Sequence, residues 1–169
     1  MPVPEPHLNL RDIDLANIIA DAQEIQRFLP HREPMNLVTA VVHVDRQNHI
    51  VVGYKDIADD EFWKPGHFPG HPLFPGVLMC EAAAQLCCYY TISEKISLEG
   101  ALMGLGGIEN TRFRRVVRPG ERLVLVGKGL RLRPRLTQFN IQGYVGQELA
   151  FHTDIIGVAL GKWEDLSRA

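Results

Sequence analysis

Two strongly polar side chains interrupt an otherwise apolar stretch of this sequence, residues 77 to 90. They are Glu81 and Gln85, which lie four residues apart and share one face if the stretch is helical. An ionised carboxylate is costly to bury on an apolar helix unless a partner hydrogen-bonds to it. Glu81 is therefore expected either to be oriented by a partner, with Gln85 the nearest candidate, or to be kept protonated by its surroundings. A protonated carboxyl group at neutral pH is what a general acid requires.

The residues just before this stretch supply further chemistry. Pro75 and Gly76 enter the helix without a Ser, Thr, Asp or Asn in the capping position, so the first N–H groups are expected to point outward with partial positive charge. Gly76 lacks a side chain, so a ligand oxygen can approach those amides closely. His67, in the proline- and glycine-rich loop upstream, suits a general base near neutral pH. Together these groups could abstract a proton next to a carbonyl and expel a leaving group.

Each of these features also has a structural explanation. A single loop histidine is usually structural or solvated, a Glu on an apolar helix more often forms a pair than catalyses, and a loop of Gly and Pro fits ordinary turn chemistry. His67 and His71 are four residues apart, but the intervening prolines and glycine disrupt a helical face and no third metal ligand is evident. We expect no metal site and no cofactor.

Around this segment the sequence predicts one apolar helix and five to seven strands. Apolar spacing over residues 10 to 29 predicts one helix or two short ones, ended by Pro30. Residues 35 to 54 read as two strands around a polar turn at residues 46 to 49. Beyond the apolar helix, extended segments are predicted at residues 106 to 117, 123 to 132, 138 to 145 and 149 to 160, with turns at 119–120 and 146–147.

These elements predict an α+β fold, an antiparallel sheet wrapped around the apolar helix. Within residues 138 to 145, Gln138, Asn140 and Gln142 alternate with apolar residues, which is typical of a strand with one solvent-exposed face. We expect residues 1–21 to be an N-terminal extension that starts as a loose proline-rich arm, and residues 22–169 to form a single domain.

Composition limits the class of protein. The 169 residues carry a net charge of −2, which argues against binding to nucleic acid through bulk positive charge. Residues 112 to 135 nevertheless contain nine basic residues and one acidic residue, or +8, which leaves −10 for the rest. Arg131, Arg133 and Arg135 are expected to share one strand face. Such residues are commonly a solvated face, but as a cluster they could attract an acidic protein or a phosphate-bearing ligand.

Three cysteines lie within the apolar stretch, at positions 80, 87 and 88. Their odd number makes a poor disulfide framework, so they are expected to be small core residues in a reducing compartment. The same stretch is shorter than the roughly 20 apolar residues that a membrane span needs, and the sequence shows no secretory signal. We expect a cytoplasmic protein with no membrane or nucleic-acid partner.

Residues 66 to 85 resemble the 3-hydroxyacyl-acyl-carrier-protein dehydratases of fatty acid synthesis, a hotdog-fold family. They meet every fixed position of the pattern G-H-F-P-G-x-P-x-x-P-G-x-x-x-x-E-A-x-x-Q. Weaker agreement at residues 29 to 34, at 107 to 120 and in the final hairpin extends the resemblance over roughly residues 22 to 160. Glu at position 81 is similar to the plain dehydratases, whereas the related dehydratase/isomerases usually carry Asp there.

The resemblance implies a role for each residue of the motif. His67 would remove the α-proton of a 3-hydroxyacyl thioester, and Glu81 would protonate the departing 3-hydroxyl, which gives a trans-2-enoyl thioester and water. The Gly76 amide would hold the thioester carbonyl, and Gln85 would orient Glu81. Substrate contacts are also expected from Phe68 and Leu73.

The resemblance also implies the partners. They are an acyl carrier protein with a phosphopantetheine-linked chain and a second copy of the chain. The homodimer would share its active sites, with His67 from one subunit and Glu81 from the other, and could assemble further into a trimer of dimers. Two alternatives stay open: a hotdog thioesterase or other thioester enzyme of secondary metabolism, and a non-catalytic module that binds acyl carrier protein.

Overall fold

A computed structural model describes residues 3 to 166, in which one long helix lies against a seven-stranded antiparallel sheet. The strands follow the order β1-β2-β3-β5-β6-β7-β4, so β1 and β4 are the two edges. The elements are β1 Ala20–Asp21, α1 Ala22–Phe28, β2 Ala40–Asp45, β3 Ile50–Asp56, α2 Gly76–Ser93, β4 Ala101–Phe113, β5 Arg122–Arg133, β6 Leu136–Val145, β7 Glu148–Lys162 and α3 Trp163–Leu166. The predicted α+β arrangement of sheet and central helix is confirmed.

The inner face of the sheet packs on α2. Alternate residues of β2, β3 and β5 point toward the helix and form one buried cluster with it, as expected for strands with a period of two. Gly53 on β3 lets the helix approach closely, since a Cβ there would stand 2.8 Å from both Leu86 Cδ1 and the Ala40 carbonyl oxygen. The Cys80 and Cys87 side chains are buried in this cluster, which confirms their prediction as core residues.

The outer face of the sheet is apolar as well. Residues 5 to 15, the N-terminal segment, cover it. Outward side chains of β2, β3, β5 and β6 form a second buried cluster, against which Leu8, Leu10, Ile13 and Leu15 pack. Gln142 Nε2 donates to the Glu5 carbonyl (2.8 Å), and the His7 backbone N–H donates to Gln142 Oε1 (3.1 Å). The expected loose arm is therefore wrong from Glu5 onward, because an apolar sheet face must be covered. Residues 1 and 2 lie outside the described residues.

The same contacts correct the reading of β6. Gln142 was expected on a solvent-exposed face, but it is fully buried because its amide pairs with the backbone of the N-terminal segment. A polar side chain at every second position indicates which face it lies on, not what covers that face.

The helix predicted over residues 10 to 29 is limited to α1, Ala22–Phe28. Asp21 begins it by accepting a hydrogen bond from the Glu24 N–H at 2.9 Å. Upstream, Leu10–Asp12 form a single 3-10 turn. Leu10 and Ile13 pack against the sheet there, so their helical spacing reflects burial on a sheet and not a helix.

The other elements are present as predicted, although β4 runs over Ala101–Phe113 and not over residues 106 to 117. The two strands around a polar turn are β2 and β3, and α2 begins one residue before the predicted apolar run. Arg135 departs from its prediction: β5 ends at Arg133, so Arg135 lies in the following turn and does not share a strand face with Arg131. In the range the structure describes, no helix is both long and apolar enough to cross a membrane.

Candidate active site

The loop before α2 carries His67 and is tied to the sheet by a buried ion pair. Lys55 Nζ on β3 lies 2.7 Å from Glu61 Oε1, and each side chain is only 8% exposed. Glu61 also accepts a hydrogen bond from Trp63 Nε1 at 3.1 Å. The Trp63 carbonyl in turn accepts the backbone N–H of His67 at 3.0 Å. This chain of contacts positions His67, and sequence reasoning missed it because Lys55 and Glu61 look like ordinary surface charges.

The imidazole of His67 is fixed by a backbone contact. Its Nδ1 lies 2.7 Å from the Leu73 carbonyl oxygen, and the Leu73 N–H donates back to the His67 carbonyl at 2.9 Å. A carbonyl only accepts, so we assign the proton to Nδ1, which leaves Nε2 as the lone-pair nitrogen of the neutral ring. Phe68 stacks on the ring, with 4.0 Å between centroids. The ring is held in the tautomer that a general base needs.

The N terminus of α2 is uncapped, as predicted. Pro75 occupies the capping position, and within the described residues no side-chain hydrogen bond caps the helix. Gly76 begins the helix, and the ring of Phe113 lies so close that a Cβ at position 76 would stand 2.8 Å from Phe113 Cζ. The missing side chain therefore leaves room for Phe113 as well as for access to the helix amides.

Glu81 and Gln85 are in direct contact on the face of α2. Gln85 Nε2 donates to Glu81 Oε1 at 2.7 Å and to the Met35 carbonyl at 2.8 Å, while Gln85 Oε1 accepts the Leu37 N–H at 2.9 Å. The Gln85 side chain is 1% exposed and its amide cannot flip without losing all three bonds. Of the two expectations for Glu81, orientation by a partner is the one the structure has.

A second partner, His31, was not foreseen. His31 Nε2 lies 3.3 Å from Glu81 Oε1. Its hydrogen bond is the largest cause that lowers the pKa of Glu81; burial acts in the opposite direction, and the Gln85 bond lowers the pKa further. The contact joins residues 50 positions apart in the chain, which spacing alone does not reveal.

A small, partly open cavity of about 60 Å³ lies beside Glu81. His31, Glu81 and Gln85 line it together with small or apolar side chains of α2, β4, β6 and β7. Met103 on β4 borders both this cavity and a wider cleft of about 880 Å³ at the C-terminal end of α2. A small cavity whose lining is mostly apolar but includes a carboxylate suits a chain with one polar end.

The structure brings the predicted site residues together in two groups. Phe68 and Leu73 contact His67 in the loop, and Gln85 contacts Glu81 on α2; Gly76 lies at the start of α2 against Phe113. Among the described contacts, none joins His67 to Glu81 within one chain. Residues 3 to 166 also hold no group of three or more His, Cys, Asp or Glu side chains placed to bind a metal ion.

The basic segment does not form one patch. β5 places Arg122 and Arg133 at opposite ends, about 36 Å apart for a strand rise of about 3.3 Å per residue. Arg122 pairs with Asp56 at 2.6 Å, and Arg115 pairs with Glu121 at 2.7 Å and Glu148 at 2.8 Å. Nearness in sequence made these residues look like one cluster, and an extended strand separates them.

Comparison with known proteins identifies the family. A family model described as a FabA-like domain matches residues 29 to 153. The chain belongs to the FabA-like family. A curated relative, the 3-hydroxyacyl-[acyl-carrier-protein] dehydratase FabZ of Desulforamulus reducens, is 38% identical over 136 residues, which is 80% of this chain and 94% of that protein. FabZ of Campylobacter lari is 33% identical over 145 residues, 84% and 99% of the two chains.

Solved structures agree on the fold of this FabA-like chain. The dehydratase heterocomplex ApeI:P from Xenorhabdus doucetiae superposes with a TM-score of 0.70 at 20% identity, over 85% of this chain and 95% of that chain. The resemblance and the hotdog fold predicted from the sequence are confirmed. The family match contains both groups of site residues, and the N-terminal segment that covers the outer sheet face lies outside it.

Proposed function

We propose that this chain is a hydro-lyase that converts 3-hydroxyacyl-acyl-carrier-protein thioesters into trans-2-enoyl thioesters and water, in fatty acid or related acyl-chain biosynthesis. One observation carries the proposal: a Glu81 carboxylate held by Gln85 near the start of an uncapped helix, directly after a loop that fixes His67 as a lone-pair base. Relatives at 33 to 38% identity over most of the chain carry the name of this activity.

The chemistry needs one base, one acid and one oxyanion donor. His67 Nε2 removes the α-proton, and the electron pair of that C–H bond passes through an enolate to form the Cα=Cβ double bond. The Cβ–O bond breaks, and the hydroxyl leaves as water with a proton from Glu81. His67 then carries one extra proton and Glu81 lacks one, so a proton transfer between them through solvent restores the site.

The enolate oxygen is stabilised at the start of α2. The Gly76 amide and the positive end of the helix face the position of a thioester carbonyl, and such donors are commonly worth about 3 to 4 kcal/mol to the reaction barrier. Phe68, 50% exposed beside His67, and Leu73, whose carbonyl fixes the imidazole, contact the substrate near the reacting carbons.

The acid role of Glu81 requires that it gain a proton before the hydroxyl leaves. In the single chain its side chain is 24% exposed and His31 holds its pKa below the ordinary value. An acyl chain in the neighbouring cavity and a second subunit over the site remove this remaining exposure. Burial raises the pKa of a carboxyl group, so substrate binding itself favours the protonated acid.

The complete site is shared between two copies of the chain. Strand β4 is an edge of the sheet, so one side of its backbone is free to pair with another strand. Its apolar side chains Leu105, Ile108 and Phe113 are about half exposed, which favours burial against a second copy of the chain. Pairing of β4 with its copy sets His67 of one subunit near Glu81 of the other. The dimers assemble further into a trimer of dimers.

A mixture of two inactive variants tests the shared site. Co-expressed His67→Ala and Glu81→Gln chains form a heterodimer in which one of the two sites has an intact His67 and an intact Glu81. Random pairing makes half of the dimers heterodimers, so we expect about a quarter of wild-type activity. A site confined to one chain leaves every combination inactive, and that result contradicts the proposal.

The acyl group is delivered by acyl carrier protein in the cytoplasm. Arg118 is exposed on the segment whose Val117 carbonyl accepts the Phe74 N–H, so it borders the His67 loop and can attract an acidic carrier. The three cysteines are free thiols, which suits a reducing compartment.

The test of the activity is conversion of 3-hydroxyacyl carrier protein to enoyl product, followed by enoyl absorbance and mass. We expect turnover by the wild type and a loss of at least about 100-fold in kcat for His67→Ala and for Glu81→Gln. Wild-type rates in both variants contradict the mechanism. Release of free thiol without enoyl product identifies a thioesterase, and saturable binding without turnover at any chain length identifies a carrier-binding module.

A further inference from the structure

His31 and Gln85 reach the same oxygen of Glu81. The distances to Oε1 are 3.3 Å from His31 Nε2 and 2.7 Å from Gln85 Nε2. Within the described part of the chain, Oε2 accepts no hydrogen bond. The two carboxylate oxygens therefore differ: Oε1 is held on two sides, and Oε2 is left for whatever enters the site.

The backbone on both sides of His31 is fixed, so the contact with Glu81 is built into the fold. Arg32 Nη1 donates to the Leu29 carbonyl at 2.9 Å and to the His31 carbonyl at 2.7 Å. Downstream, Gln85 binds the Met35 carbonyl and the Leu37 N–H. The residue that holds Glu81 from α2 thus also anchors the segment that brings His31 to it.

The other ring nitrogen of His31 indicates how the ring is protonated. Nδ1 is buried and finds no hydrogen-bond partner among residues 3 to 166. A doubly protonated ring would bury an N–H without an acceptor, whereas the tautomer with its proton on Nε2 leaves only an unused lone pair. The geometry favours the neutral ring with its proton on Nε2, the nitrogen that lies 3.3 Å from Glu81 Oε1.

We propose that His31 is a positioning residue for the dehydration: as a neutral donor it fixes Oε1 of Glu81 together with Gln85, so that Oε2 is the oxygen that delivers the proton to the leaving hydroxyl. The inference rests on the proposed function, because it gives His31 a role through the acid Glu81. It assigns both donors to Oε1 of Glu81 and the proton transfer to Oε2.

The surroundings of Glu81 allow a pH-dependent test. The titratable groups that line the cavity with it are His31, from the segment before β2, and Cys87 and Cys88, from α2 itself; the described residues of β4, β6 and β7 that line it are not titratable. The His31 hydrogen bond lowers the pKa of Glu81. Removing the donor raises that pKa, so the limb of the pH–rate profile that belongs to Glu81 moves to higher pH.

Three substitutions at position 31 test whether His31 acts as a hydrogen-bond donor or only fills space. His31→Gln keeps a neutral N–H donor, while His31→Phe and His31→Leu remove it with two different shapes. We expect kcat to fall roughly 10- to 100-fold in His31→Phe, with KM changed less than about threefold, because a misplaced acid affects chemistry more than binding. His31→Gln should recover most of kcat and keep the wild-type pH limb. His43→Phe on β2 is the matched control and should behave as wild type.

The outcomes distinguish this inference from the proposed function. Absence of dehydration in the wild type contradicts the proposed function itself. Dehydration by the wild type, with an unshifted Glu81 limb in His31→Phe and His31→Leu, overturns the role of His31 and leaves the function standing. A His31→Gln enzyme as slow as His31→Phe also overturns it, as does a failure of both donor-free variants to fold, since either result makes the role structural.

Discussion

At the scale of single residues, Gly76 is constrained from two directions. Its amide begins α2 where the proposed oxyanion forms, and the Phe113 ring fills the space that any larger residue would need. Phe113 in turn stacks on Phe151, with 6.1 Å between centroids, so moving the ring away from position 76 disturbs this contact. A change at position 76 therefore affects packing before it affects a substrate.

We expect Gly76→Ala to lower kcat about tenfold and stability by about 1 to 3 kcal/mol, the usual effect of overpacking. The new Cβ would stand 2.8 Å from Phe113 Cζ, so the ring or the first turn of α2 must move. Steady-state kinetics and thermal unfolding measure both effects. In a Phe113→Ala background the same change should cost little. An equal cost in both backgrounds would show that the amide geometry, and not the ring, is what alanine disturbs.

The residues that sequence reasoning found and missed differ in one respect. The pairing of Glu81 with Gln85 follows from a four-residue spacing on a helix, which is local geometry. The contacts of His31 with Glu81 and of Lys55 with Glu61 depend on how separate segments pack, and no spacing rule predicts them. The sequence therefore identifies the reactive groups better than it identifies what holds them.

At the scale of elements, local patterns again predict the structure better than they predict how separate segments pack. Apart from Glu81, Gln85 and its last turn, helix α2 is apolar, and its central position against the sheet buries most of these side chains. Residues 10 to 29 have a helical spacing of apolar side chains, but Leu10 and Ile13 are buried on the outer sheet face instead. A pattern of apolar residues predicts which side chains are buried more reliably than the backbone that buries them.

The cavity between α2 and β4 predicts the lengths of acyl chain that the enzyme accepts. Under the proposed function the acyl chain enters the cavity of about 60 Å³ beside Glu81, which has room for about four to six water-sized groups. Met103 stands between it and the cleft of about 880 Å³. We expect Met103→Ala to raise kcat/KM for long acyl chains over 3-hydroxybutyryl by about tenfold, and Met103→Trp to do the reverse.

A panel of carrier-bound 3-hydroxyacyl substrates of increasing length measures this preference. Leu130→Ala, a change at an exposed side chain on β5, is the control and should leave the preference unchanged. If the acyl chain takes another route, Met103→Ala and the wild type will show the same length preference, and that result contradicts the prediction.

At the scale of the whole molecule, the N-terminal segment completes the fold. It covers the second apolar cluster, and His7 is its main polar anchor: His7 Nε2 lies 2.7 Å from Asn140 Oδ1 on β6. Burial is the largest cause that lowers the pKa of His7; Lys128 lowers it too, while Asn140 and Asp154 act in the opposite direction. Below the ordinary histidine value of 6.5, the unfolded chain therefore binds a proton that the folded chain resists.

Acidification should consequently weaken the wild type through His7. We expect the free energy of unfolding to fall more steeply in the wild type than in His7→Gln as the pH drops below the ordinary histidine value of 6.5, with the two curves parallel well above it. Urea unfolding at a series of pH values measures the difference, from which His152, whose pKa is also lowered by burial, cancels because both proteins carry it. His71→Gln, a change on an exposed loop, should keep the wild-type slope. Equal slopes in wild type and His7→Gln would mean that His7 binds its proton equally in the folded and the unfolded chain, so the N-terminal segment would not depend on pH through this residue.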